Sequence, residues 1–258
     1  MKKTLLVTAA LCIAVMAAGC SKTEESSYAT TMDTTAETAA SETEISDETE
    51  GTETPASQHD VVVEDQSVTT LSDETGDYSS TIPKLIVDGQ EAESINYELK
   101  STLTEKYSME KDANSGYVTG YEMRYAWGVK DNIVSIVVIA GYIGDDGADY
   151  AVFNYDLDNL TALSGDEVVE RLDMSVDEFF DSVANVYRTY WENEPWLGEA
   201  YNDMLDRSIS VIDFEHVKPF ITPSGHTGFA GYIYTPSQSA EGYACFDMDD
   251  CVREGFAG

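Results

Sequence analysis

Positive charge is what this sequence has least of. Across 258 residues, 14 Lys and Arg stand against 49 Asp and Glu, a net charge of −35. Nucleic-acid binding depends on neutralising phosphates with Lys and Arg, so that class of partner is excluded. Histidine is scarcer still, with three in the chain, His59, His216 and His226. No His/Cys pair has zinc spacing, no Gly-x-Ser-x-Gly elbow occurs, and no glycine-rich phosphate loop is present. Ser224 lies too near His226 in sequence to suggest a triad, so His216 and His226 read as ordinary surface or turn positions. Paired carboxylates of the glycosidase kind carry no weight in a chain this acidic, where such pairs arise by chance. No catalytic residue, resident metal or cofactor is therefore assigned, and the expectation is a protein that is not an enzyme. A long apolar run is missing too. The stretch from Leu5 to Ala18 falls short of the ~20 residues that cross a bilayer as a helix.

What the first twenty residues do contain is an export signal. Lys2 and Lys3 precede the apolar stretch, and small residues Ala17-Ala18-Gly19 run directly into Cys20. Small residues followed at once by cysteine resemble a bacterial lipobox, with Ala17 where a leucine is usual. That resemblance implies removal of residues 1–19 and acylation of Cys20, giving a palmitate-type lipoprotein on the outer face of the cell membrane, more in the manner of a Gram-positive cell. Two or more acyl chains hold firmly where one does not, at ~0.8 kcal/mol per buried CH₂.

From Ser21 to Thr81, Lys22 is the only Lys or Arg against sixteen Asp and Glu, and Ser and Thr fill most remaining places. Such a segment has too little apolar surface to offset its ordering entropy, so residues 20–81 are expected to form a disordered tether. As a flexible coil of about 60 residues it would reach roughly 45 Å. Val61-Val62-Val63 is an apolar island within it, too short to carry a core.

Residues 82–258 hold a net charge of −22 and are long enough for one folded domain. Asp88-Gly89-Gln90-Glu91 reads as an acidic helix cap ahead of Ala92, Ile95, Leu99 and Leu103, predicting a helix over 91–107. Tyr117, Thr119, Tyr121, Met123, Tyr125 and Trp127 then alternate along one strand face. The run 133–143 is rich in β-branched residues and reads as a central strand covered on both faces. Lys130-Asp131-Asn132 and Gly144–Ala148 supply turns, and Tyr150–Leu157 a third strand, completing an antiparallel meander. Two capping boxes follow, Ser164/Glu167 and Ser175/Glu178. The second opens a helix whose stripe of Phe179, Phe180, Val183, Tyr187, Tyr190 and Trp191 reads as core, ended by Pro195. A short helix is expected over Glu199–Arg207, then strands at Ile209–Phe214, Val217–Ile221, Phe229–Tyr234 and Tyr243–Phe246. Helices laid on a mostly antiparallel sheet make an α+β domain.

Of four cysteines, Cys12 leaves with the signal and Cys20 takes lipid, so Cys245 and Cys251 remain as a pair able to form a disulfide. The interleaved Asp247, Asp249 and Asp250 give a weak calcium signal. The sharpest local cluster is the turn carrying Asp145, Asp146, Asp149 and Tyr150. It could hold a cation through hard oxygen ligands or meet a basic protein, although the spacing is not that of an EF-hand.

Four segments are similar to a known family. They are Ile82-Pro83-Lys84-Leu85 with Ile95-Asn96, the turn Gly144–Tyr150, Asn154-Tyr155-Asp156-Leu157 leading to Leu163-Ser164, and the strand pair around Phe220 and Gly231-Tyr232. Over roughly residues 80–248 the chain resembles the extracytoplasmic domain of a lysozyme-sensing anti-sigma factor, also found beside the catalytic domain of some peptidoglycan deacetylases. The family turn usually carries a His near Gly147-Ala148, where Asp149 stands close by here. The resemblance implies a binding or sensing module for a cationic wall-active protein such as lysozyme. The anti-sigma factor carries a cytosolic segment and a membrane helix that this sequence does not show, so a direct transcriptional role is not expected from the resemblance. An accessory or hydrolase acting on peptidoglycan and a structural envelope lipoprotein are the alternatives.

Overall fold

Ile133 to Ala140 form an unbroken run of buried residues in a computed structural model of the protein, and the fold is arranged around them. The chain divides into two units, Met1–Glu50 and Gly51–Gly258. The structure describes residues 58–145, 147–193, 199–234, 242–249 and 252–253, all in the second unit. The signal, Cys20, Asp146, Pro195, Asp250 and Cys251 lie outside the described residues, as does the tether as far as residue 57.

The meander expected from the sequence is present as β5 (Val118–Lys130), β6 (Ile133–Tyr142) and β7 (Ala148–Asp156), each antiparallel to the next. Asp131 and Asn132 both take positive φ, 48° and 59°, in the two-residue turn between β5 and β6. Short strands β4 (Met109–Lys111) and β8 (Thr161–Ala162) complete this five-stranded sheet.

The side chains of β6 alternate between two cores. Val134, Ile136, Val138 and Ala140 enter one with Ile95, Leu99 and Leu103 of helix α1 (Glu93–Lys106). Val137 and Ile139 enter the other, against Phe220, Ala230 and Cys245 of a second sheet. That sheet runs β9 (Val217–Ile221), β10 (Thr227–Ile233), β11 (Gly242–Asp247) and β12 (Val252–Arg253). Its far face carries Val217, Phe229 and Phe246 against Phe179, Val183, Tyr187 and Trp191. Those four residues belong to α3 (Val176–Asn193), which is flanked by α2 (Gly165–Arg171) and α4 (Asn202–Ser210). The domain is α+β, and the aromatic stripe of α3 is core, as its spacing indicated. Both capping boxes form. Glu167 accepts the Ser164 N–H at 2.8 Å, and Glu178 accepts the Ser175 N–H at 2.8 Å.

Three expectations are corrected. Residues 61–81 belong to the fold rather than the tether, as β1 (Val61–Ser72) pairs antiparallel with β2 (Asp77–Val87) over its whole length. Val63 is buried in the core with Ile82, Leu85 and Val87, so the valine island does carry core. Asp88 and Gly89 do not cap a helix. Both have positive φ, 52° and 74°, and turn β2 into β3 (Gln90–Glu91). The helix begins at Glu93 after Ala92. Ile209–Phe214 is the end of α4 and the bend after it, because Met204, Leu205, Ile209 and Ile212 face the α3 core at helical spacing.

Buried polar groups lock the layers together. Ser135 Oγ donates to Asn154 Oδ1 at 2.6 Å and accepts the Ile221 N–H at 2.8 Å, while Asn154 Nδ2 donates to the Pro219 carbonyl at 2.9 Å. Asp156, only 2% exposed, accepts from Arg171 Nη2 at 2.7 Å and Asn159 Nδ2 at 2.8 Å, tying α2 to the end of β7. The Arg171 guanidinium foremost, with the Asn159 amide and the Asp158 N–H, holds the Asp156 carboxyl down at about 2. A depressed folded pKa means the stabilisation is complete above the ordinary carboxyl range and is lost as pH falls through it towards 2. Asp156→Asn is expected to cost about 2 kcal/mol in urea unfolding at pH 7 and much less at pH 2.5. Equal costs at both pH values would refute the ionic contribution.

Candidate functional site

Three of the four residues singled out at the acidic turn, Asp145, Asp149 and Tyr150, are among the described residues. Strand β7 already begins at Ala148, so Asp149 and Tyr150 are strand residues on opposite faces. Asp149 is engaged on the α1 side, accepting from the buried Tyr107 hydroxyl at 2.8 Å and pairing with Lys106 Nζ at 2.9 Å. Tyr150 packs against the Val137–Phe220 core between the sheets. Asp145 is exposed and accepts the Gly147 N–H at 3.3 Å. Asp149 and Tyr150 are thus held in opposite layers, Asp145 faces solvent, and Asp146 lies outside the described residues. Cys245 is buried, and its expected disulfide partner Cys251 lies outside the described residues.

Asp145 also lines a cleft of about 330 Å³ with Glu122 and Arg124. Arg124 lines a neighbouring cleft of about 510 Å³ as well, together with Asp65, Tyr125, Trp127 and Pro223. Tyr125 donates its hydroxyl to Asp65 Oδ1 at 2.9 Å, and burial together with that carboxylate pushes its pKa up. These clefts place one exposed guanidinium between aromatic rings and carboxylates.

The three histidines are each held by aspartate. His59, assigned by sequence to the tether, meets Asp88 at 2.8 Å and Asp158 at 3.1 Å, and these two hydrogen bonds raise its pKa. His216 meets Asp213 at 2.8 Å, in a bend where Asp213 also accepts the Glu215 and His216 N–H groups. His226, in the turn before β10, meets the buried Asp247 at 2.9 Å, and Asp249 stands 3.9 Å away. Sequence reading had the interleaved aspartates in view but not their histidine, which lies 21 residues earlier and arrives by the β10–β11 pairing.

The helical layer α2–α4 is rich in carboxylates. Asp166, Glu170, Asp173, Asp177, Asp181, Asp203 and Asp206 are all exposed on or beside α2–α4, against Arg171, Arg188 and Arg207. Arg171 is committed to Asp156 at 2.7 Å, and Arg207 stacks 3.8 Å from the Tyr234 ring. With the boundary moved to residue 58 the domain gains six carboxylates and no Lys or Arg, taking its charge from −22 to −28. No family model matches the chain, and no curated protein matches it either.

Proposed function

We propose that this is a lipid-anchored, non-catalytic binding module on the outer face of a bacterial membrane, which receives a cationic protein of the cell-wall space such as a lysozyme. The observation that carries this reading is the acidic face of α2–α4, within a domain of net charge −28. A field of one sign speeds encounter with a partner of the other and suppresses partners of like charge. Rim charges of this kind act on association rate and are screened by salt over about 8 Å at physiological ionic strength. The Cys20 lipobox supports the location, and the resemblance to the lysozyme-sensing domain supports the partner class.

The full chain, purified in detergent and immobilised, is expected to bind a basic lysozyme at 20 mM salt and to lose about tenfold in affinity by 300 mM, mostly through slower association. Asp177→Lys with Asp181→Lys should slow association several-fold further, whereas Asp112→Lys on the β4–β5 loop should change it little. Absence of binding at low salt removes the reading. Binding indifferent to both salt and the helix substitutions removes the acidic face as its basis.

A further inference from the structure

We propose that His226, Asp247 and Asp249 form a binding site for one divalent transition-metal ion of the Zn²⁺ or Mn²⁺ class. An imidazole nitrogen and two carboxylate oxygens converge there, all within 4.8 Å of one another. His226 Nδ1 is 2.9 Å from Asp247 Oδ2 and 3.9 Å from Asp249 Oδ2. Metal bonds of ~2.0–2.2 Å place neighbouring ligands ~3.0 Å apart on an octahedron and ~3.4 Å apart on a tetrahedron. The observed separations bracket both values, so small side-chain rotations bring all three donors onto one ion.

The donors are built into the fold. Gly228 pairs with Asp247 across β10 and β11, which brings His226, two residues before Gly228, to the same end of the sheet. The His226 N–H is held by Thr222 Oγ1 at 3.0 Å, fixing the backbone that presents the ring. Asp247 Oδ1 accepts the Asp249 N–H at 2.9 Å, which shapes the turn and leaves Oδ2 directed at the imidazole. Asp247 is 2% exposed, and a carboxylate taken out of water needs a cationic counterpart. A divalent ion would serve both carboxylates together. Imidazole with two carboxylates favours zinc, manganese or iron over calcium, which prefers an all-oxygen shell. Three protein donors leave positions for water or a further ligand. Asp213, Glu215 and His216 also converge, but Asp213 and Glu215 are exposed and the Asp213 oxygen is already taken by two backbone N–H groups.

That second cluster serves as the internal control. Full chain stripped with chelator should take up one equivalent of Zn²⁺ in competition with a fluorescent chelator, above the weak binding expected of a chain at −35. His226→Gln and Asp249→Asn should each weaken that equivalent at least tenfold, and His216→Gln should leave it unchanged. Co²⁺ in place of Zn²⁺ should give a ligand-field absorption in the wild type that His226→Gln abolishes. Asp249 is exposed, so its variant keeps the test sound should His226→Gln fail to fold. The proposal is overturned if no saturable equivalent exists, if Asp249→Asn and His216→Gln bind like the wild type, or if Ca²⁺ alone binds.

Discussion

A chain that begins at residue 82 is expected not to fold, whereas one that begins at residue 58 gives a cooperative domain. Starting at 82 removes all of β1 and the first five residues of β2. Val63 leaves the core it shares with Leu85, Val87 and α1, and the remaining half of β2 becomes an edge with unpaired N–H and C=O groups. The clip from His59 to Asp88 and Asp158 goes too. So does the hydrogen bond from the Ser79 N–H to Glu122 of β5, at 2.9 Å. A typical domain is stable by ~5–15 kcal/mol, and a lost strand with its pairing and core contribution is of that size. Far-UV circular dichroism with thermal melting of the two chains decides the matter. A cooperative melt of the 82–258 chain within a few degrees of the 58–258 chain would show that β1 is dispensable.

The second large effect is expected at Gly128. A Cβ there would stand 2.0 Å from the Thr222 carbonyl oxygen and 2.6 Å from that of Ile221, both backbone atoms. At this point β5 passes directly under the end of β9, and neither chain has a flexible tip able to yield. Gly128→Ala must push the two sheets apart, straining the Ser135–Ile221 hydrogen bond nearby. The cost is on the order of 3 kcal/mol or more, a fall of about 10 °C in melting temperature for a domain of this length. Gly141→Ala is the comparison, since nothing lies within 4 Å of a Cβ at that position and its cost should stay below about 1 kcal/mol. Equal melting temperatures for the two variants would contradict the close approach.

The parts legible in the sequence are those in which local pattern and tertiary role coincide. The β-branched run of β6 needs covering on two faces and receives it. The capping boxes of α2 and α3 and the stripe of α3 needed no distant partner to be recognised. The hairpin β1–β2 was hidden because its outer strand buries little beyond Val63, so composition resembles that of an unfolded tail. Its order comes from pairing with β2, which sequence statistics do not register. At Asp88-Gly89 two signals competed. The Asp-Gly pair marks a two-residue hairpin turn as strongly as Asp and Glu three apart mark a helix cap, and the turn prevails. Among the candidate site residues, Asp149 could not be told from a free carboxylate, because Lys106 and Tyr107 are more than forty residues away. His226 looked ordinary for the same reason.

The first described strand is also the first to feel the rest of the chain. If the proposed anchor holds the domain through the residues before 58, tension enters β1 at Val61, whose partner Val87 lies at the far end of β2. Pulled from that end, an antiparallel ladder opens one rung at a time, and no set of rungs shares the load. His59, pinned to Asp88 and Asp158 just ahead of the first rung, stands where a catch would be needed.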